Sequence, residues 1–124
     1  MKMYTTPEQT AKLIELGFEK PSGISGYYTK PPYEYDAKTN SKIVVYDDTQ
    51  YPIYAYSIGE LISFLPKSIK VNDLFFTLCI HSSNDYWIVE YADIAFGSQA
   101  RLSKEELIDA LFAEIVILKE EEVI

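Results

Sequence analysis

The only cysteine of the chain, Cys79, and its only histidine, His81, stand two residues apart, in a stretch that continues through Ser82, Ser83, Asn84, Asp85 and Tyr86 to the only tryptophan, Trp87. A thiol beside an imidazole is the minimum for a nucleophile and its base, and on a β-strand a spacing of two puts both side chains on one face. A cysteine hydrolase also needs a group that orients the imidazole and donors for the oxyanion, and one face of one strand supplies neither in recognisable form. A triad of Ser82, His81 and Asp85 is weaker still, because consecutive residues in a turn rarely converge on one point. Ser-Ser-Asn-Asp is turn chemistry: short polar side chains bond the local backbone, and Asn and Asp tolerate left-handed angles. The stretch predicts a hairpin tip with a half-exposed histidine and no catalytic residues.

Other chemistries are excluded more directly. One cysteine and one histidine cannot build a tetrahedral Cys/His zinc site, and one cysteine forms no internal disulfide. The five glycines never gather into a phosphate-cradling loop. No metal and no cofactor is expected. Eleven basic against nineteen acidic residues give a net charge of −8, which repels phosphate backbones, so direct nucleic-acid binding is not expected either. No apolar run reaches the roughly 18 residues that span a bilayer, and the first residues do not lead into the apolar core of a signal peptide. These features predict a cytoplasmic protein without membrane contact. At 124 residues, with 48% of them apolar, the chain suits one domain over residues 1–124.

Three capping boxes mark the helices that must position any site. Thr6-Pro7-Glu8-Gln9, Ser57-Ile58-Gly59-Glu60 and Ser103-Lys104-Glu105-Glu106 each place a hydroxyl at the N-cap and Gln or Glu three residues on. The first helix is expected over residues 7–16, closed by Gly17 in left-handed geometry with Phe18 packing back. The second, from Ile58, must stop near Phe64 or Leu65 because Pro66 disfavours helical geometry before it. Its apolar positions are Ile58, Leu61, Ile62 and Leu65.

The third helix is expected over residues 104–121, with a stripe of Leu107, Ile108, Leu111, Ile115 and Leu118 widened by Phe112, Val116, Ala110 and Ile117. So wide an arc implies deep burial or a homodimer through this C-terminal helix. Glu105, Glu106 and Asp109 would complement its dipole at the start, whereas Glu120, Glu121 and Glu122 sit at the unfavourable end.

Between the second and third helices, a hairpin turning at Ser83-Asn84 pairs His81 with Tyr86, Ile80 with Trp87, Leu78 with Val89 and Phe76 with Tyr91. One face is then wholly apolar, and the other carries Phe75, Thr77, Cys79 and His81 against Tyr86, Ile88 and Glu90. Residues 19–56 are irregular, punctuated by Lys20-Pro21-Ser22-Gly23 and Lys30-Pro31-Pro32. Strands are expected at 42–46 and 53–56, with Pro52 pushing the latter to a sheet edge. Eight of the eleven tyrosines fall here. Tyrosine with Pro, Ser and Asn on a loop gives large contact area at low entropy cost, so Tyr33, Tyr35, Tyr51 and Tyr54 are the candidate binding residues. The competing reading is that the rings pin a long loop onto the sheet.

Tyr-Ser-Ile-Gly-Glu-Leu-Ile at 56–62, Leu-Pro-Lys-Ser-Ile at 65–69, Trp-Ile-Val-Glu-Tyr at 87–91 and Glu-Leu-Ile-Asp-Ala-Leu-Phe at 106–112 give most of the chain a resemblance to short uncharacterised proteins of gut anaerobic bacteria and their phages or mobile elements. The recurring residues are caps and core positions. The resemblance implies a mobile-element setting and transfers no catalytic residue.

The expected architecture is therefore a two-layer α+β domain in the order α-β(β)-α-β-β-α, a small antiparallel sheet packed on helices beside a long Tyr-rich segment. The expected function is a non-enzymatic module that binds a protein partner. An acidic mimic of nucleic acid that inhibits a DNA-handling protein is the first alternative, and a small hydrolase using Cys79 and His81 the second.

Overall fold

The computed structural model describes residues 1–29, 33–36, 41–44 and 50–124, with side chains described outside 28–51. The first helix, α1 (Pro7–Glu15), opens on the expected capping box: the Thr6 hydroxyl accepts from the Gln9 amide at 3.2 Å, and the Gln9 side chain accepts from the Thr6 amide at 3.0 Å. It closes with Gly17 at φ +99, where Gly17 N–H donates to the Ile14 carbonyl and Phe18 N–H to that of Leu13. Those are the two bonds of a Schellman cap.

Four strands follow. β1 (Gly23–Thr29) pairs with β4 (Gln50–Ala55), and β2 (Tyr33–Asp36) pairs with β3 (Ser41–Val44), each as a two-stranded antiparallel ribbon. The strand expected at 42–46 is thus β3, with Val45 and Tyr46 outside the described residues, and the one expected at 53–56 is the end of β4. Their partners β1 and β2 were read as irregular. Pairing supplies what propensity does not, since Gly26 and Pro31-Pro32 weaken the local strand signal. Gly23 has a structural reason to lack a side chain: a Cβ there would sit 2.9 Å from the Ala55 carbonyl oxygen and 3.0 Å from the Tyr4 ring.

The second helix, α2 (Ile58–Phe64), repeats the capping box with Ser57 and Glu60, and Leu65 is extended ahead of Pro66, as expected. Leu61 and Leu65 are buried, whereas Ile62 is exposed.

β5 (Ser68–Val71), β6 (Leu74–Ser83), β7 (Tyr86–Asp93) and β8 (Gly97–Lys104) form a four-stranded antiparallel sheet in chain order. β5 was not expected, although its turn, Asn72 at φ +51 and Asp73 at φ +66, has the two left-handed residues of a tight hairpin. The β6–β7 register differs from expectation by two residues. Ser83 pairs with Tyr86, Ile80 with Val89 and Leu78 with Tyr91, so the loop is Asn84-Asp85, with Asn84 at φ +55. Because side chains alternate with period two, an even shift leaves every residue on its expected face.

The third capping box does not form. Ser103 and Lys104 lie in β8, paired with Ile88 and Trp87, and α3 (Leu107–Glu120) begins at an N-cap Glu106 that makes no side-chain cap bond. Pairing with β7 takes up the backbone the first turn would have needed. Glu105 therefore precedes the helix, and Asp109 is the acidic residue of its first turn. The N-terminus ties down this corner: Lys2 N–H donates to Glu106 at 2.8 Å, while Lys2 Nζ and Gln9 Nε2 reach Asp109 at 2.7 and 2.8 Å.

The sheet turns Ile69, Phe76, Val89 and Tyr91 toward Leu107, Ile108, Leu111, Ile115 and Leu118 of α3, with Leu61 of α2 and Leu13 of α1 completing the core. Leu78, Ile80 and Trp87 pack against it from the same sheet face. The fold is α+β, with helices on one side of the larger sheet. Phe112 and Val116, which widen the apolar arc of α3, also pack against this core and are partly buried.

Candidate functional site

On the sheet face turned away from α3, a polar network centres on Glu90. A bulge in β8 sets it up: Val89 pairs with Leu102 and Tyr91 with Gln99, so Ala100 and Arg101 together oppose Glu90, and Ala100 takes φ +49 to do so. Arg101 Nε then lies 3.1 Å from Glu90 Oε2, Ser98 Oγ donates to the same oxygen at 2.9 Å, and His81 Nε2 lies 3.4 Å from Oε1. With three partners the Glu90 side chain is only 12% exposed. The nearby Ile88 is buried, although it stands on this face.

Cys79 and His81 both project from this face, as their spacing requires, and Glu90 is the group that holds the imidazole. The thiol is bonded elsewhere, donating to the Thr77 carbonyl of its own strand at 3.5 Å. Nucleophile and base are therefore held by different partners, and the hydroxyl of Ser82 alternates to the opposite face. A hollow of about 420 Å³ beside Cys79 is lined by Thr77, Ala92, Asp93 and Ile94 as well. Among the described residues no group of three or more His, Cys, Asp or Glu side chains could hold a metal ion.

A second surface belongs to the β1–β4 ribbon. Ile24 pairs with Tyr54 and Tyr27 with Pro52, the register slipping by one residue at Ser25. Paired residues share a face, so Ile24, Tyr27, Pro52 and Tyr54 lie together. Tyr27 and Tyr54 are each more than half exposed. Tyr54 also forms one wall of a cleft of about 390 Å³, whose other walls are Thr10 and Ile14 of α1 with Lys20 and Pro21. Of the four tyrosines expected to bind, Tyr54 is therefore at an open cleft. The side chains of Tyr33, Tyr35 and Tyr51 lie outside the described residues. Tyr27, which the sequence reading did not single out, shares the ribbon face with Tyr54. Tyr56, just beyond β4, is instead buried in the core with its hydroxyl donating to the Glu19 carbonyl, and its pKa is raised by burial and then by Glu60.

The most unusual ionisable group among the described residues is in neither surface. Glu114 of α3 has no exposed area, and neither carboxylate oxygen has a hydrogen-bond partner among the described residues. Burial, and secondarily the charge of Glu121, pushes its pKa up to about 8. Tyr91 feels the same environment: burial first and then Glu114 raise its pKa to about 12, while its hydroxyl donates to the Pro66 carbonyl at 2.8 Å. The signal was present in the sequence, because Glu114 falls three residues after Leu111 and four before Leu118, in the middle of the apolar stripe. Asp109, by contrast, is lowered: burial opposes its charge, but hydrogen bonds from Lys2 and Gln9 and the charge of Lys2 prevail.

No helix among the described residues is long and apolar enough to cross a membrane. No protein-family model, no curated protein and no solved structure matches this chain.

Proposed function

We propose that this chain is a non-enzymatic module that binds a protein partner across the Tyr-rich ribbon and the adjoining end of α1. It would act in the cytoplasm and, as the sequence resemblance implies, in a phage or mobile-element setting. The observation that carries the reading is the apolar face formed by Ile24, Tyr27, Pro52 and Tyr54, opening into the cleft beside Ile14 and Pro21. Exposed tyrosines at a cleft are what a binding surface needs: large rigid rings with few rotamers to immobilise and a polar tip for the rim. Tyr33, Tyr35 and Tyr51 extend the same proposal along the segment.

The chain's charge supports a partner with a basic rim. Net charge is −8, and the exposed Glu15 and Glu19 flank Ile14 and Lys20 in sequence. Complementary charge speeds such an encounter and makes it sensitive to salt.

The test uses the intact chain as bait in an extract of its native host, beside a Tyr27→Ser/Tyr54→Ser variant with an unchanged circular dichroism spectrum. The reading expects one specific partner, captured by the wild type, lost with the variant and weakened by added salt. Equal capture by both baits would reject it. A captured partner that duplex DNA displaces would favour the acidic mimic instead.

A further inference from the structure

Two features of α3 work against the chain's own stability. Glu114 has no exposed area, and neither of its carboxylate oxygens has a hydrogen-bond partner among the described residues. A buried polar group left unpaired costs stability that an apolar residue would not, so it calls for a reason of another kind. Glu120, Glu121 and Glu122, in turn, crowd the helix end where the dipole is already negative. Lys12 is engaged with Glu120 at 3.7 Å, and Lys119 lies over the Phe18 ring at 5.5 Å.

A hollow links the two features. About 450 Å³ in volume, it opens where the sheet and the end of α3 part, between Ile69 and Val71 of β5, Gln99 of β8, and Ile117, Leu118 and Glu121. It reaches the core, since Leu118 is 1% exposed. Ile117, Leu118 and Glu121 follow Glu114 by three, four and seven residues, which puts all four on one face of the helix. The two carboxyls also feel each other: burial first, and then the charge of Glu121, raise the pKa of Glu114. On the sheet side, Tyr91, whose pKa is raised by burial and then by Glu114, pairs with Gln99 of the hollow's wall.

We infer that this hollow binds a small organic cation, an ammonium or guanidinium group carried on an apolar body, with Glu121 and the Glu114 carboxylate as its counter-charges. The lining selects the body. Ile69, Val71, Ile117 and Leu118 offer apolar walls, and the volume falls within the roughly 300 to 1,000 Å³ of small-ligand sites. Charge selects the head, because a helix C-terminus attracts cations and the net charge of −8 adds to that field. A metal ion fits less well, since among the described residues no three His, Cys, Asp or Glu side chains could hold one. Binding also moves a proton. Glu114 is protonated at neutral pH, so its hydrogen leaves to solvent as the cation arrives, and the carboxylate that remains accepts from the cation's N–H groups.

Phenethylamine and hexylamine are the probes, titrated into the full chain at neutral pH and followed by the amide NMR shifts of Gln99, Ile117 and Val123. Both amines should produce saturable shifts. Phenethyl alcohol keeps the apolar body without the charge and should bind about tenfold more weakly, the effect of losing one charge-assisted hydrogen bond. Glu114→Gln should weaken the amines by a similar factor, and Glu121→Gln by about threefold, as suits an exposed charge. Unshifted amides remote from the hollow would confirm that both variants fold. Bound amine should also lower the pH at which the Glu114 carboxyl ionises, which a merely structural role would not do. The absence of saturable shifts with both amines, equal binding of the alcohol, or unchanged affinity in Glu114→Gln would overturn the inference. Tyr27→Ser/Tyr54→Ser should bind both amines as the wild type does, so this outcome is separable from the test of partner binding.

Discussion

Replacing Glu114 by leucine should stabilise the protein, and by an amount that depends on pH in a way few other changes would reproduce. The folded state holds this carboxyl near 8, against an ordinary value of 4.5. Below pH 4.5 both folded and unfolded chains are protonated here, so the stability associated with the neutral group is fully present. As pH rises, the unfolded chain ionises first and stability falls by about 1.4 kcal/mol per unit, levelling off once the folded carboxyl also ionises near pH 8. The cumulative loss is about 3 kcal/mol at pH 7 and about 5 kcal/mol above pH 8. Leucine has a similar volume and nothing to desolvate, so Glu114→Leu should recover most of this, about 3 kcal/mol at neutral pH or about 10 °C in Tm for a chain of this size. Glu114→Gln should flatten the pH dependence with a smaller gain, because an amide without partners remains buried. Urea unfolding of wild type and both variants at several pH values between 4.5 and 9 measures the differences directly, and groups shared by all three cancel. A wild-type-to-leucine difference that stays constant across this range would refute the reasoning, as would a carboxyl NMR titration of Glu114 with a midpoint near 4.5.

Three further outcomes follow from local geometry. Gly23→Ala should destabilise by about 1–3 kcal/mol, since the added methyl meets the Ala55 carbonyl and the Tyr4 ring; chemical denaturation reads it, and an unchanged midpoint would show that the ribbon yields without cost. Ser57→Ala removes the hydroxyl that accepts from the Glu60 amide and should cost about 1 kcal/mol in the same assay, with Ser57→Thr largely restoring it. Cys79→Ser should leave any hydrolytic turnover of the purified chain unaltered, because the thiol is bonded to the Thr77 carbonyl and not to the imidazole; loss of turnover would reopen the hydrolase reading.

The helices were legible wherever a local signal was left to act. Thr6 with Gln9 and Ser57 with Glu60 form their boxes, and Gly17 and Pro66 stop the helices where expected. Ser103 carries the same signal and fails, because pairing of β8 with β7 claims its backbone, a tertiary effect that no four-residue pattern contains. Period two in residues 76–91 gave the faces correctly even with the register two residues off, for the same reason that an even slip is invisible to alternation. The outer strands β5 and β8 were missed for lack of an apolar run: Ser68, Lys70, Arg101 and Lys104 are edge residues whose polarity guards an exposed strand. The Glu90 network was out of reach, since it depends on the bulge at Ala100, a non-glycine residue with positive φ. Tyr54 was among the expected binding residues, but nothing in the spacing indicated a cleft there with Ile14 of α1 as its opposite wall.

The hydrogen bonds from Lys2 and Gln9 to Glu106 and Asp109 join residues 100 to 107 positions apart, while β5 to β8 are linked by loops of two or three residues. Contacts close in sequence form early because little chain entropy opposes them, and distant ones come last. During synthesis the meander can assemble as it emerges, and Thr5 can already bond Tyr56, but Lys2 and Gln9 must wait for α3 to leave the ribosome before they reach Glu106 and Asp109. The last latch to close in this fold is thus made by its first residues.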